Sequence, residues 1–252
     1  MAIDQLSVIT ERIVKRFHPL TIILFGSQAR GDSHQWSDVD LLVVVPKVED
    51  KWEKKQEIER ALREFRLSAD VIVATPDEIR ARGDMVGTVL RPALREGKLL
   101  YRAEGNGHVP NAEPVSEEDA AKEAAVWLIV VDDDIALAED VIGRPDRPPR
   151  HAGFNAQQAA EKALKAVYIF LQIQYPFSHD LDELRNGLPS DWPLTDVFPD
   201  LEELSKWAVV QRYPGAQGAW TRDDARRHVH QARALLDVVK RELRAHGFTV
   251  DL

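Results

Sequence analysis

Apolar positions change period along this chain, and each change predicts an element. Over residues 4–17, Leu6, Ile9, Ile13, Val14 and Phe17 recur at helical spacing, and His18-Pro19 stops that helix. Two β-rich runs follow, TIILF at 21–25 and VDLLVVV at 39–45, the second closed by Pro46. A charged helix is expected from about 48 to 65, with Ile58, Leu62 and Phe65 facing inward. A third strand is expected at 69–74. Thr75-Pro76-Asp77-Glu78 then reads as a helix start, with Thr75 as N-cap and Pro76 in the first turn. Residues 97–101 add a short last strand. Strands interleaved with helices predict an α/β domain built on a mixed sheet.

The period is lost in RAEGNGHVPNAEP, residues 102–114, where Gly, Pro and Asn accumulate as in a linker. Beyond it every periodic segment is helical. Ser116-Glu117-Glu118-Asp119 is a capping-type start for a helix running to about 142, and RPDRPPR breaks the pattern. Long helices are expected at 153–172 and 221–246, with shorter ones from 180 and over 201–210. Leu235, Leu236, Val239 and Leu243 give the last helix a buried stripe, and Gly247 ends it. The expected class is therefore α+β. Its domains are residues 1–105 (mixed-sheet α/β), a linker at 106–115, and an all-α helical bundle over 116–252.

Composition bounds this picture without altering it. The 252 residues are 44% hydrophobic and 30% charged, as in water-soluble globular proteins. No apolar run reaches the 18 or so residues of a membrane span, and the N-terminus reads as an amphipathic helix, not a leader, so a cytoplasmic protein with no membrane partner is expected. With no cysteine, disulfides, thiolate metal sites and a cysteine nucleophile are excluded. Residues 1–110 hold 17 basic and 17 acidic residues; the other 16 basic and 25 acidic carry the whole net charge of −9. An acidic C-terminal half argues against broad nonspecific nucleic-acid binding there.

The chemistry concentrates in LFGSQARGDSHQWSDVDLLVVV, residues 24–45. Side chains alternate along a strand, so Asp38 and Asp40 project together while Val39 and Leu41 take the other face. Two such carboxylates are costly unless a cation neutralises them or one is protonated. Hard oxygen ligands suit Mg²⁺, which takes one or two carboxylates plus phosphate oxygens and water. Asp70 opens the third strand; if that strand lies beside the second, three carboxylates meet and a pair of ions can be held. Gly26 lets backbone approach a ligand, and the Ser27 hydroxyl can hold phosphate oxygens. Arg30 is placed to neutralise phosphate charge. A Gly-Ser after a strand is by itself only a turn, and an Asp-x-Asp only an exposed strand end. Their conjunction with a third acid is what points to a site.

That stretch resembles the signature of the minimal nucleotidyltransferases of the polymerase-β-like superfamily: Gly-Ser, a short Arg-Gly stretch, then Ser-Asp-x-Asp leading an apolar strand. The resemblance covers about residues 1–105. It implies that Gly26 and Ser27 bind the triphosphate, with Arg30 and Ser37 beside them. It also implies that Asp38 and Asp40 ligate Mg²⁺ and that Asp70 is the third acid, helping to activate an acceptor hydroxyl. Two Mg²⁺ ions, with Mn²⁺ as a substitute, and ATP or another NTP are the implied cofactor and substrate. The implied reaction is adenylyltransferase-like: a nucleoside monophosphate passes to an acceptor and pyrophosphate leaves. The acceptor, a small molecule, a protein or an RNA, is not legible.

HAGFNAQQAAEKALKAVYIFLQ, then SHDLDEL and RYPG, resembles HEPN domains, whose Gln-Gln-Ala-x-Glu-Lys-Ala-x-Lys stretch falls at Gln157–Lys165. This resemblance covers about 116–246. It implies a helical module that helps to bind nucleotide or acceptor and that pairs with a second copy as a homodimer. Many HEPN domains are RNases using Arg, four to six residues, then His; Arg222 and His228 meet that spacing. The alternative reading is thus a fused toxin–antitoxin-like protein, an RNase regulated by the transferase domain. Tyr168 and Tyr213 are hydroxyls that a regulating modification could reach, though nothing in the sequence singles them out. His179 is expected to cap or hydrogen-bond within the bundle.

Overall fold

The computed structural model describes residues 3–31, 38–65, 68–105, 108–210 and 220–251. It divides the chain into two compact units, Met1–Val115 and Ser116–Leu252.

The first unit contains α1 (Ile3–Phe17), β1 (Thr21–Phe25), α2 (Gly26–Arg30), β2 (Val39–Val44) and α3 (Lys51–Leu62). A 3₁₀ turn (Arg63–Phe65), β3 (Ala69–Ala74), α4 (Pro76–Arg82), α5 (Leu90–Glu96) and β4 (Lys98–Arg102) complete it. The strands form one mixed sheet in the order β3-β2-β1-β4. β1 runs antiparallel to both neighbours, whereas β2 and β3 are parallel. A parallel pair needs a crossover, and α3 supplies it. Both sheet faces are covered. Ile22, Leu24, Val39, Leu41, Val43, Val71 and Val73 pack with Ile9 and Ile13 of α1 and Ile58 and Leu62 of α3. On the other face, Ile23, Phe25, Leu42, Val44 and Ala74 pack with Ile79 of α4 and Leu90 and Ala93 of α5. Central strands buried on two sides read as continuous apolar runs, as TIILF and LLVVV do.

Two local predictions are met in detail. Thr75 forms a capping box: its hydroxyl accepts from the Glu78 amide, and the Glu78 carboxylate accepts from the Thr75 amide. The short strand near residue 98 exists and pairs with β1. Helices α2 and α5 were not legible as helices, because five to seven residues show too little of a 3.6-residue period. The linker-like stretch is tied to this unit: the Ala103 amide donates to the Leu20 carbonyl and the Glu113 amide to that of Arg80.

The second unit is helical: α6 (Glu117–Gly143), α7 (Pro149–Leu171), α8 (Leu181–Asn186), α9 (Leu194–Val197), α10 (Glu202–Ser205), α11 (Trp207–Val210) and α12 (Arg222–Ala245). Ser116 caps α6 by accepting from the Asp119 amide. Helix α7 buries Ala152, Ala156, Ala159, Ala160, Ala163 and Ala166, a small-residue face that lets its neighbours approach. Gly153 belongs to that face, since a Cβ there would stand 2.2 Å from the Trp207 ring. Two expectations are corrected. Helix α7 begins at Pro149, not 153, because proline is well tolerated at a first helical position. The single helix expected over 201–210 is two separate turns, α10 and α11. Among the described residues no helix is long and apolar enough to cross a membrane.

Candidate functional site

The candidate residues gather at one end of the mixed sheet. β1 ends at Phe25, and the chain turns at once through Gly26, whose φ of +69° favours glycine, into the single turn of α2. Gly31 ends that turn with φ +87°, its amide donating to the Ser27 carbonyl. The chain returns at Asp38, directly before β2. Strand pairing then sets Asp40 opposite Phe25 on one side and opposite Asp70 on the other. Asp40 and Asp70, directly opposed on neighbouring strands, share a sheet face. Ser37 lies outside the described residues.

Gly26 and Asp40 are in close contact. A Cβ built on Gly26 would lie 2.1 Å from Asp40 Oδ2, so the carboxylate occupies the space that any side chain there would fill. The electrostatics follow from the crowding. Burial pushes the Asp40 carboxyl above its ordinary value, repulsion from Asp70 and then Asp38 pushes it further, and Arg30 opposes the rise. Arg30 also faces Glu96 Oε2 at 3.8 Å. Among the described residues this is a cluster in which negative charge outweighs the opposing guanidinium at Asp40. Hard oxygen donors with excess negative charge, beside a glycine that opens the space, fit a divalent cation on Asp38 and Asp40.

Asp70 faces Asp40 as expected and has a further partner. Its Oδ1 is held by Lys55 Nζ of α3 at 2.5 Å, and Lys55 also lies 3.4 Å from Glu59 Oε1. Among the described residues no three acidic or histidine side chains are gathered as metal ligands. Lys55 went unnoticed in the sequence because KWEKK reads as a solvated helix face; only the packing of α3 brings it to β3. A cavity of about 310 Å³ in the same unit, lined by Thr21, Asp84, Arg95 and Asn111 among others, includes none of these acids.

The helical unit places its candidates differently. Arg222 donates to the carbonyls of Ile142 (3.0 Å), Pro145 (3.1 Å) and Arg147, and so closes the C-terminal end of α6 and the turn after it. His228 is buried, and its Nδ1 accepts from Trp207 Nε1 at 2.7 Å. Burial, then the neighbouring Arg227, lowers its pKa below the usual histidine value. Both members of the expected RNase pair are thus engaged in packing. Tyr168 is likewise buried, donates to the Leu184 carbonyl at 2.6 Å, and has its pKa raised to about 12, chiefly by burial. Such a hydroxyl is closed to modification; Tyr213 lies outside the described residues.

His179 hydrogen-bonds within the bundle as expected, its Nδ1 lying 3.0 Å from Glu161 Oε1. Glu161 also accepts from Lys165 (2.6 Å) and Gln157 (2.9 Å). Burial raises the Glu161 pKa, but these donors outweigh it and hold the carboxyl below its ordinary value. The Gln-Gln-Ala-x-Glu-Lys stretch therefore builds a satisfied buried polar network.

The family model described as Nucleotidyltransferase domain matches residues 6–94, and that described as HEPN domain matches residues 136–242. A comparison with curated proteins finds no match. Among solved structures, a toxin-antitoxin with AMP-PNP is 20% identical, over 55% of this chain and 98% of that one, at a TM-score of 0.29. The spectinomycin adenyltransferase AAD(9) from Enterococcus faecialis, with ATP and spectinomycin, is 14% identical, over 95% of this chain and 100% of that one, at a TM-score of 0.47. Likeness at that level carries no activity over. The two family matches, on the sheet unit that gathers the acids and on the helical unit beyond it, identify the chain as a nucleotidyltransferase domain fused to a HEPN domain.

Proposed function

We propose that this protein transfers a nucleoside monophosphate, AMP from ATP, to a hydroxyl acceptor and releases pyrophosphate. The observation that supports it most is the placing of Asp40 against Gly26 on one side and opposite Asp70 on the other, at the end of the sheet. Asp38 and Asp40 would hold Mg²⁺, which supplies charge neutralisation of the triphosphate when bound. Gly26 keeps the backbone open to phosphate oxygens and Ser27 offers its hydroxyl to them. Arg30, half-exposed beside Asp40, balances negative charge. Asp70 takes the acceptor's proton as the acceptor oxygen bonds the α-phosphorus; the bond from that phosphorus to the leaving pyrophosphate oxygen breaks. The HEPN domain contributes to holding nucleotide or acceptor. The RNase alternative finds no support in the packing of Arg222 and His228.

A homodimer belongs to this reading. Val126, Ile129, Val130 and Leu137 are exposed along one stretch of α6 and supply an apolar face for a second copy. Labelled ATP with Mg²⁺, incubated with candidate acceptors, tests the activity: label transfer and pyrophosphate release are expected, and both are lost in Asp38→Ala and Asp40→Ala. A wild-type protein that neither binds nor turns over any nucleotide with metal overturns the proposal.

A further inference from the structure

The third acid of the site already has a cation, and it comes from the protein. Lys55 Nζ stands 2.5 Å from Asp70 Oδ1, a direct ammonium–carboxylate contact. The lysine is not a loose surface group: its side chain is 24% exposed, and Glu59, one turn further along α3, steadies the ammonium at 3.4 Å. The Glu59 carboxylate also lies 3.5 Å from the Val71 amide, so the same helix turn meets β3 at Asp70 and at the residue after it. Helix α3 packs on the sheet face opposite Asp40, and Lys55 reaches Asp70 around the edge strand β3. Asp40 has the Arg30 guanidinium acting on it, against the repulsion of Asp70 and Asp38.

We propose that Lys55 supplies at Asp70 the positive charge that a second divalent ion would supply, so that this site takes one divalent cation, on Asp38 and Asp40. The inference rests on the metal reading given above and sharpens it from two ions to one. Its physical basis is direct. An ammonium and a divalent cation on one carboxylate repel each other strongly at contact distances, and the lysine, being covalently tethered, is always present. The Asp70 carboxylate retains further lone pairs with which to accept the acceptor's proton, so its chemical part survives the loss of a metal. Lys55 is thereby a positioning residue, acting through Asp70.

Counting bound Mn²⁺ on the full-length protein tests this. Free Mn²⁺ is followed by electron paramagnetic resonance during titration without nucleotide, and folding of each variant is checked by circular dichroism. The expected count is one ion for the wild type and for Lys55→Arg, which keeps the charge. Lys55→Met, which keeps the stem and removes the charge, is expected to bind two, the second at least about tenfold more tightly than any second ion in the wild type. That second ion disappears again in the Lys55→Met, Asp70→Asn double variant. Two ions on the wild type, falling to one in Asp70→Asn, overturn the inference. So does a Lys55→Met protein that stays at one ion with unchanged affinity. A wild type that binds none, like Asp40→Asn, instead overturns the metal reading beneath it, and the two failures are thus told apart.

Discussion

Gly26 carries the tightest steric constraint at the site. Its left-handed backbone costs a side-chain-bearing residue about 1–2 kcal/mol, and the Asp40 carboxylate occupies the Cβ position as well. Gly26→Ala should therefore lower the thermal midpoint and reduce transfer by roughly a hundredfold or more, since a small misplacement of a reacting group is costly. Paired melting and turnover measurements check both, and wild-type behaviour in either would refute the constraint. Asp40 makes a complementary prediction. Its raised pKa means that the folded protein disfavours the ionised form. The stability this group contributes is full below the ordinary carboxyl value of 3.8 and is lost as pH rises through the raised value. At neutral pH and in chelator, Asp40→Asn should therefore melt a few degrees higher than the wild type while losing activity. A fall in the midpoint would show that the repulsion is not felt. Neither effect is legible in the motif letters, which say that acids recur but not how closely they are pressed together.

At the scale of elements, the two long-range clamps of the helical unit matter most. Arg222 starts α12 and ends α6, joining positions 80 residues apart through carbonyls that the helix leaves unpaired. Arg222→Ala should cost about 1–3 kcal/mol, measured by chemical denaturation; a change near zero would mean that water replaces the guanidinium fully. His228 anchors α12 to Trp207 as a neutral acceptor. Because its pKa is lowered in the fold, its contribution is present above the ordinary value of 6.5 and is lost as pH falls through the lowered one. The thermal midpoint should drop with acidification in that window. His228→Gln, which keeps an acceptor but does not titrate, should flatten the dependence, and an unchanged slope would exonerate the histidine. Arginine and histidine at this spacing looked like a reactive pair because spacing was all there was to read. Their partners, carbonyls at the end of α6 and in the turn after it and an indole on α11, are set by packing. The long helices and the strands were legible for the opposite reason: each repeats its own apolar period over enough residues to be seen. The four- to seven-residue helices do not.

Across the whole molecule, charge is divided as sharply as structure. The acidic C-terminal part should not retain single-stranded RNA at about 0.15 M salt, because phosphate binding requires basic groups to displace counterions. An electrophoretic shift in the micromolar range would contradict this and return the RNase alternative to contention. The sequence by itself determined the two-part α+β organisation, the strands and long helices, and the stretch that carries the chemistry. Periodicity, capping and motif spacing are local properties, written in neighbouring residues. Only the tertiary structure decided that Asp40 faces Asp70 across a parallel pair, that Lys55 reaches Asp70, and that Arg222, His228 and Tyr168 are bound into the bundle. Those contacts join residues 15 to 80 positions apart, and nothing but the packing of whole elements brings such residues together.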